Sequence, residues 1–115
     1  MKTNCVFCKI VADKIPVEMV YQDNDIVAFH DINPQAPVHV LIVPKKHLRN
    51  LLDVKDQDVF LIGKMLMVAT EIARQLHIAE IGYRIVINTN RDAGQSIDHL
   101  HIHLIGGRQM QWPPG

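Results

Sequence analysis

Long apolar runs are absent from this sequence of 115 residues, as are clusters of Lys and Arg and an excess of either charge. No stretch approaches the length needed to span a bilayer, so a membrane-embedded protein is not expected. The opening Met1-Lys2-Thr3-Asn4-Cys5 lacks the apolar core of a secretory leader, which points to a cytoplasmic protein. Twelve basic and twelve acidic residues cancel to a formal charge of zero. Binding to a long polyanion draws on clustered Lys and Arg, so nucleic acid is not an expected partner. A small anion stays open as a ligand, because backbone amides and a few histidines can hold one phosphate. With only two cysteines, three positions apart, a secreted disulfide framework is excluded. Repeats, low-complexity stretches and linkers are also missing, and the length suits one domain over 1–115. The 48% apolar and 21% charged content is that of a globular chain.

The elements follow one another closely. Val6, Phe7 and Ile10 fall at helical spacing and predict a brief helix over 5–13. Met19–Gln22 and Ile26–Asp31 are rich in β-formers and flank Asp23-Asn24-Asp25, a hairpin signal. Two prolines exclude regular structure over 32–37. Val38–Val43 is almost wholly apolar, as expected of a central strand covered on both faces. A long helix is predicted to start after Leu52, with Asp53 as its N-cap. Val59, Ile62, Leu66, Ala69, Ala73 and Leu76 form one apolar stripe on it, and Leu61, Met65, Val68 and Ile72 a second. That breadth fits either a deeply buried helix or one shared with a second subunit. Tyr83–Thr89 and His99–Ile105 read as strands around a polar loop over 90–96, with Gly106-Gly107 as the stop. Short links between consecutive strands predict an α+β fold with an antiparallel meander.

Residues alternate between the faces of a strand, so His99, His101 and His103 share one face and Leu100, Ile102 and Leu104 the other. Three imidazoles, each with a donor and an acceptor to satisfy and each titrating near neutrality, are a poor structural choice. Three readings follow: histidines without chemistry, a zinc hydrolase using a His-x-His pair, or a neutral imidazole attacking phosphorus. No Asp or Glu lies within the run to complete a catalytic zinc site.

His99-Leu100-His101-Ile102-His103-Leu104-Ile105 resembles the signature of the histidine triad superfamily. The likeness extends through 29–39 (Phe29-His30-Asp31-Ile32-Asn33-Pro34-Gln35-Ala36-Pro37-Val38-His39), Pro44-Lys45-Lys46-His47, Asn88, Gly94-Gln95-Ser96 and the ending from Gly106 to Gly115. These residues are similar to the nucleotide-binding branch of that family over nearly the whole chain. The resemblance implies a five-stranded sheet with one long and one short helix, continued across a homodimer. It implies hydrolysis of purine nucleoside phosphoramidates, such as adenosine 5′-monophosphoramidate and aminoacyl-adenylates, without a catalytic cofactor. His101 would attack the α-phosphorus to form a nucleotidyl-histidine that water then resolves. Ser96 would donate to the leaving group, while the amides of Gln95 and Ser96, with His103, would hold the non-bridging oxygens. Asn88 would reach the phosphate or orient the loop that holds Gly94. Asp31 would accept from the ribose hydroxyls beside His30. Ile32, Val6, Phe7 and Ile10 would sandwich the purine, and His39 would face the same pocket.

Plainer roles compete with these. Asp31 is a common turn residue, Val6, Phe7 and Ile10 suit a core, and Ser96 suits a turn. Trp112 is either a surface aromatic or, through the tail, a selector of substrate. The pair Cys5 and Cys8 has the spacing of a zinc chelate, with His47 and His99 as the histidines that zinc-bearing relatives would use. Plain reduced thiols and a redox dithiol are the alternatives, the latter weakened by the lack of a preceding strand. A nucleotide-sensing module with incidental turnover is the second functional reading.

Overall fold

The computed structural model describes residues 4–115; Met1, Lys2 and Thr3, which enter the reading of the N-terminus, lie outside the described residues. The chain runs through α1 (Val6–Val11), β1 (Met19–Gln22), β2 (Ile26–His30), β3 (Val38–Pro44), α2 (Val59–Gln75), β4 (Tyr83–Val86) and β5 (Ile102–Gly106). The strands form one antiparallel sheet in the order β1-β2-β3-β5-β4. The expected five-stranded α+β sheet is therefore present, but the order is not a strict meander. After α2 crosses the sheet the chain enters at the far edge as β4, and β5 returns between β4 and β3. This insertion makes β5 a central strand, with Leu41 opposite His103 and Val86 opposite the same histidine on the other side.

The β1–β2 hairpin closes on Asp23, whose Oδ1 accepts from the backbone N–H of Asp25 at 2.8 Å and of Ile26 at 2.9 Å. This is the local side-chain turn that aspartate favours. Lys64 on α2 reaches Asp23 and Asp25 and ties the helix to that corner.

Apolar side chains cover both faces of the central strands. On one face Ile26, Ala28, Val40, Ile42, Leu100, Ile102 and Leu104 pack under Met65, Val68, Ala69, Ile72 and Ala73 of α2. On the other, Val27, Phe29, Leu41 and Val43 pack under Phe7 and Ile10 of α1. The unbroken apolar run in β3 reflects this double burial. Gly106 ends β5 where a Cβ would meet Ile78 Cδ1 at 2.6 Å. Gly107, at φ +89°, then turns the chain away.

Several boundaries differ from the sequence expectation. The long helix begins at Val59, because two 3₁₀ turns, Leu51–Asp53 and Asp56–Asp58, occupy the preceding segment. Asp53 is not its N-cap; it forms an i,i+4 fork with Arg49, and Asn50 caps the first 3₁₀ turn. β4 stops at Val86, and the ladder of β5 starts only at Ile102. The side-chain alternation nevertheless continues back through Leu100 and His99. The deeply buried helix is not what forms, since Val59 and Leu66, with Phe60 and Met67, are exposed. Among the described residues, no helix is long and apolar enough to cross a membrane.

Candidate active site and metal centre

The polar groups gather on the α1 face of the sheet, where β3 and β5 place His39 and His103 side by side. His101 is 6% exposed, and its Nδ1–H donates to the carbonyl of His99 at 2.7 Å. That bond settles the tautomer: Nε2 keeps its lone pair. Burial lowers the His101 pKa below the ordinary histidine value, so the ring is neutral near pH 7. The neutral imidazole packs beside Phe7 and His103, with ring centroids 5.1 and 4.9 Å away.

A second chain of hydrogen bonds orients His103. The backbone N–H of Gln35 donates to His39 Nδ1 at 3.0 Å, which leaves the proton of His39 on Nε2. That Nε2–H donates to His103 Nδ1 at 2.9 Å. His103 in turn carries its proton on Nε2 as a donor. Burial, helped by the neighbouring His101 and His39, lowers the His103 pKa to about 4. Burial also lowers that of His39, against the pull of Asp31. Asp31 Oδ2 stands 3.4 Å from His39 Nε2, while its Oδ1 accepts from the N–H of Asn33 at 2.9 Å. Asp31 thus serves its turn and faces the site together.

The loop after β4 is braced by one side chain. Gln95 Nε2 donates to the carbonyls of Arg49 at 2.7 Å and Ile97 at 3.0 Å, and Oε1 accepts from the N–H of Asn90 at 2.9 Å. Buried Asn50 joins by donating to Asn90 Oδ1 at 2.9 Å. Gln95's own amide donates to the carbonyl of Asn90 at 3.1 Å. That bond closes the loop, and Ser96 at its end is exposed. Gly94 takes φ +80° at the turn.

The remaining candidates sit apart in character. Phe7 and Ile10 are buried in the α1 core, whereas Val6 is partly exposed and lines a surface hollow with Cys5, His47 and Ser96. Ile32 stands out on the turn after Asp31, 96% exposed. Asn88 is half-buried beyond β4, and His30 pairs with Glu18 at 3.4 Å. Gln35, Asn50 and Glu18 escaped the sequence reading. Their roles come from backbone or long-range partners, and Asn50 carried a signal only as a possible cap.

Beside the histidine face lies a cluster of Cys5, Cys8, His47 and His99, whose ligand atoms all fall within 4.8 Å of one another. Cys5 Sγ is 3.3 Å and Cys8 Sγ 3.5 Å from His99 Nδ1, and Cys8 Sγ is 3.2 Å from His47 Nδ1. A tetrahedral zinc ion holds its ligand atoms about 3.3–3.8 Å apart, close to this spacing. His99 Nε2–H donates to the carbonyl of Pro44 at 2.8 Å, so Nδ1 turns its lone pair toward both thiols. An orienting hydrogen bond of this kind is what a metal-ligating imidazole needs. The residues fit a structural zinc.

The chain belongs to the HIT family: the HIT domain model matches residues 12–110. A 14 kDa zinc-binding protein of Zea mays is 46% identical over 112 residues, covering 96% of this chain and 87% of its own length. A HIT family hydrolase from Legionella pneumophila is 50% identical, covers 97% of this chain and 100% of its own, and superposes with a TM-score of 0.95. A histidine triad nucleotide-binding protein from Candida albicans is 32% identical, with coverages of 96% and 83% and a TM-score of 0.82. The fold is therefore that of the HIT family.

Proposed function

We propose that this chain is a purine nucleoside phosphoramidase of the nucleotide-binding branch of the family, with His101 as its nucleophile. The observation that carries the reading is the 2.7 Å bond from His101 Nδ1–H to the His99 carbonyl, which presents a neutral Nε2 lone pair. In the first step Nε2 bonds to the α-phosphorus and the P–N bond to the amine breaks, with Ser96 donating to the leaving nitrogen. In the second, water attacks the nucleotidyl-imidazole, the P–Nε2 bond breaks and the nucleoside monophosphate leaves. The proton taken up by the amine in the first step is returned by water in the second. His103 Nε2–H donates to a non-bridging oxygen as charge builds there. Asp31 receives the ribose hydroxyls, with His30 beside it, and Asn88 and Gly94 shape the phosphate loop. Val6 and Ile32 supply apolar surface for the base, and Phe7 and Ile10 lie beneath as its floor. Aminoacyl-adenylates suit the same site, because the nucleophile sees the same α-phosphorus.

The whole chain is read as one HIT domain that works as a homodimer in the cytoplasm. Two features support the dimer. One is the exposed apolar stripe of α2, where Phe60 is 92% and Met67 69% exposed. The other is the open edge offered by β4, along which a partner's strand can continue the sheet. Cys5 and Cys8 form no disulfide, which suits a reducing compartment. The zero net charge gives no support to a nucleic acid partner, and among the described residues no helix is long and apolar enough to cross a membrane.

The test is incubation with adenosine 5′-monophosphoramidate followed by mass spectrometry. Adenylylation of His101 is expected, and His101→Ala should still bind nucleoside monophosphate while losing turnover. Full activity in His101→Ala would sink the assignment.

A further inference from the structure

The loop that carries Ser96 contains a strained residue. Asn90 takes φ +66° and ψ −169°. Asparagine tolerates the left-handed helical well, but this ψ lies far outside it, in a region that glycine alone enters freely. Such a conformation persists only where its surroundings over-determine it. Asn90 is exposed, so hydrogen bonds rather than core packing hold it there. Its N–H donates to Gln95 Oε1 at 2.9 Å, and its carbonyl accepts from the Gln95 N–H at 3.1 Å. Its Oδ1 accepts from Asn50 Nδ2 at 2.9 Å.

Asn50 is the fixed end of this link. It is 5% exposed, and its Oδ1 accepts from the N–H of Leu52 at 2.9 Å. A backbone N–H can only donate, so the carboxamide has one orientation and Nδ2 faces the loop. There it meets two acceptors, Asn90 Oδ1 and, at 3.4 Å, Gln95 Oε1. Glycine at position 90 could make both backbone bonds and would relieve the strain. Only the side-chain bond to Asn50 requires an asparagine. A strained residue kept for one bond to a buried side chain points to a demand on the loop's position, and the reactive group on that loop is Ser96.

We infer that Asn50 and Asn90 are positioning residues for the Ser96 hydroxyl, and that their bond sets a preference for amine over carboxylate leaving groups. This rests on His101 as the nucleophile and Ser96 as the donor to the leaving nitrogen. An amine leaves phosphorus with a proton, which Ser96 Oγ–H supplies as the P–N bond breaks and later recovers from the attacking water. The carboxylate of an acyl-adenylate departs as a stable anion when its P–O bond breaks and takes no proton. Displacement of the hydroxyl is therefore felt by the first class of substrate and little by the second.

The experiment compares kcat/KM on adenosine 5′-monophosphoramidate and on acetyl-adenylate for the unmodified protein, Asn90→Gly and Asn90→Asp. Asn90→Gly should lose about tenfold on the phosphoramidate and no more than about twofold on acetyl-adenylate, with its melting temperature within a few degrees of the original. Asn90→Asp keeps an acceptor for Asn50 Nδ2 and should recover the phosphoramidate rate to within about threefold. Proton NMR of the Asn50 side-chain amide reads the link without turnover. Its exchange with solvent should be about tenfold faster in Asn90→Gly than in the unmodified protein or Asn90→Asp. Equal losses on both substrates, a rate loss matched by unfolding, or Asn90→Asp as defective as Asn90→Gly would overturn the inference, as would unchanged rates. If the unmodified protein leaves the phosphoramidate intact, the functional assignment falls, while amide exchange still decides whether Asn50 holds the loop.

Discussion

At the scale of single residues, the site runs on tautomers. Two backbone partners, the His99 carbonyl and the Gln35 amide, decide that His101 offers a lone pair and His103 a proton. This predicts an asymmetry at His39. His39→Leu should cut kcat/KM by about tenfold or more, because His103 Nδ1 loses its donor and its ring its orientation. His39→Gln, whose amide can donate, should recover part of that loss; equal defects in both would remove His39 from the chain of bonds. The same burial predicts a pH dependence of stability. Unfolded His103 binds a proton near the ordinary value of 6.5, whereas the folded ring does so only near about 4. Between those values the unfolded state holds more protons, so folding should weaken as pH falls from about 6.5 to about 4. His101 and His39, lowered in the same direction, add to the effect. Aspartates such as Asp23, held at about 2, act only at lower pH. Melting curves of wild type and His103→Gln across this range check the point, and identical slopes would count against it.

At the scale of elements, the run of alternating histidine and apolar residues was readable because a β-strand has a fixed two-residue period. His99 and His101 keep that alternation although the ladder starts at Ile102. Helix ends were less readable. Asp53 has an excellent N-cap composition, yet Arg49 captures it four residues away, and the chain makes two 3₁₀ turns before α2 begins. Side-chain competition of this kind is local but has no periodic signature. The loop over 90–96 shows the same limit. Nothing periodic in the sequence marks the Gln95 side chain as the brace of three backbone groups. Gln95→Ala should therefore depress kcat/KM by about tenfold through loop disorder while moving the melting temperature only a few degrees. Hydrogen exchange over 90–97 checks the cause. For α1, removal of metal by a chelator should lower the melting temperature, since ligand binding to the folded state alone stabilises it. An unchanged melting temperature with metal shown to have left would argue against a structural zinc.

At the scale of the whole molecule, the proposed homodimer would cover the wide apolar surface of α2. A soluble protomer rarely leaves Phe60, Met67 and Val59 open together, and Gly63 between them leaves room for a close helix approach. Sedimentation of wild type should give twice the mass of the chain, and Met67→Glu should shift it toward the monomer with little loss of helix content. A wild-type monomer at micromolar concentration would dismiss the dimer.

The sequence by itself determined the periodic and chemical features: the strand of alternating faces, the cysteine pair, the doubly apolar β3, and a family likeness that spans most of the chain. Such features are legible because each is carried by residues close together and by the geometry of one element. The tertiary structure alone decided that β5 enters between β3 and β4, that His39 meets His103, and that Gln95 is a brace. It also placed Phe7 against His101. These depend on pairing between segments tens of residues apart, for which a linear pattern carries no distance. Three histidines on one strand face can be read from the chain; which nitrogen of each bears the proton is set by the carbonyls of Pro44 and His99 and, through His39, by the amide of Gln35, groups whose orientation only the fold fixes.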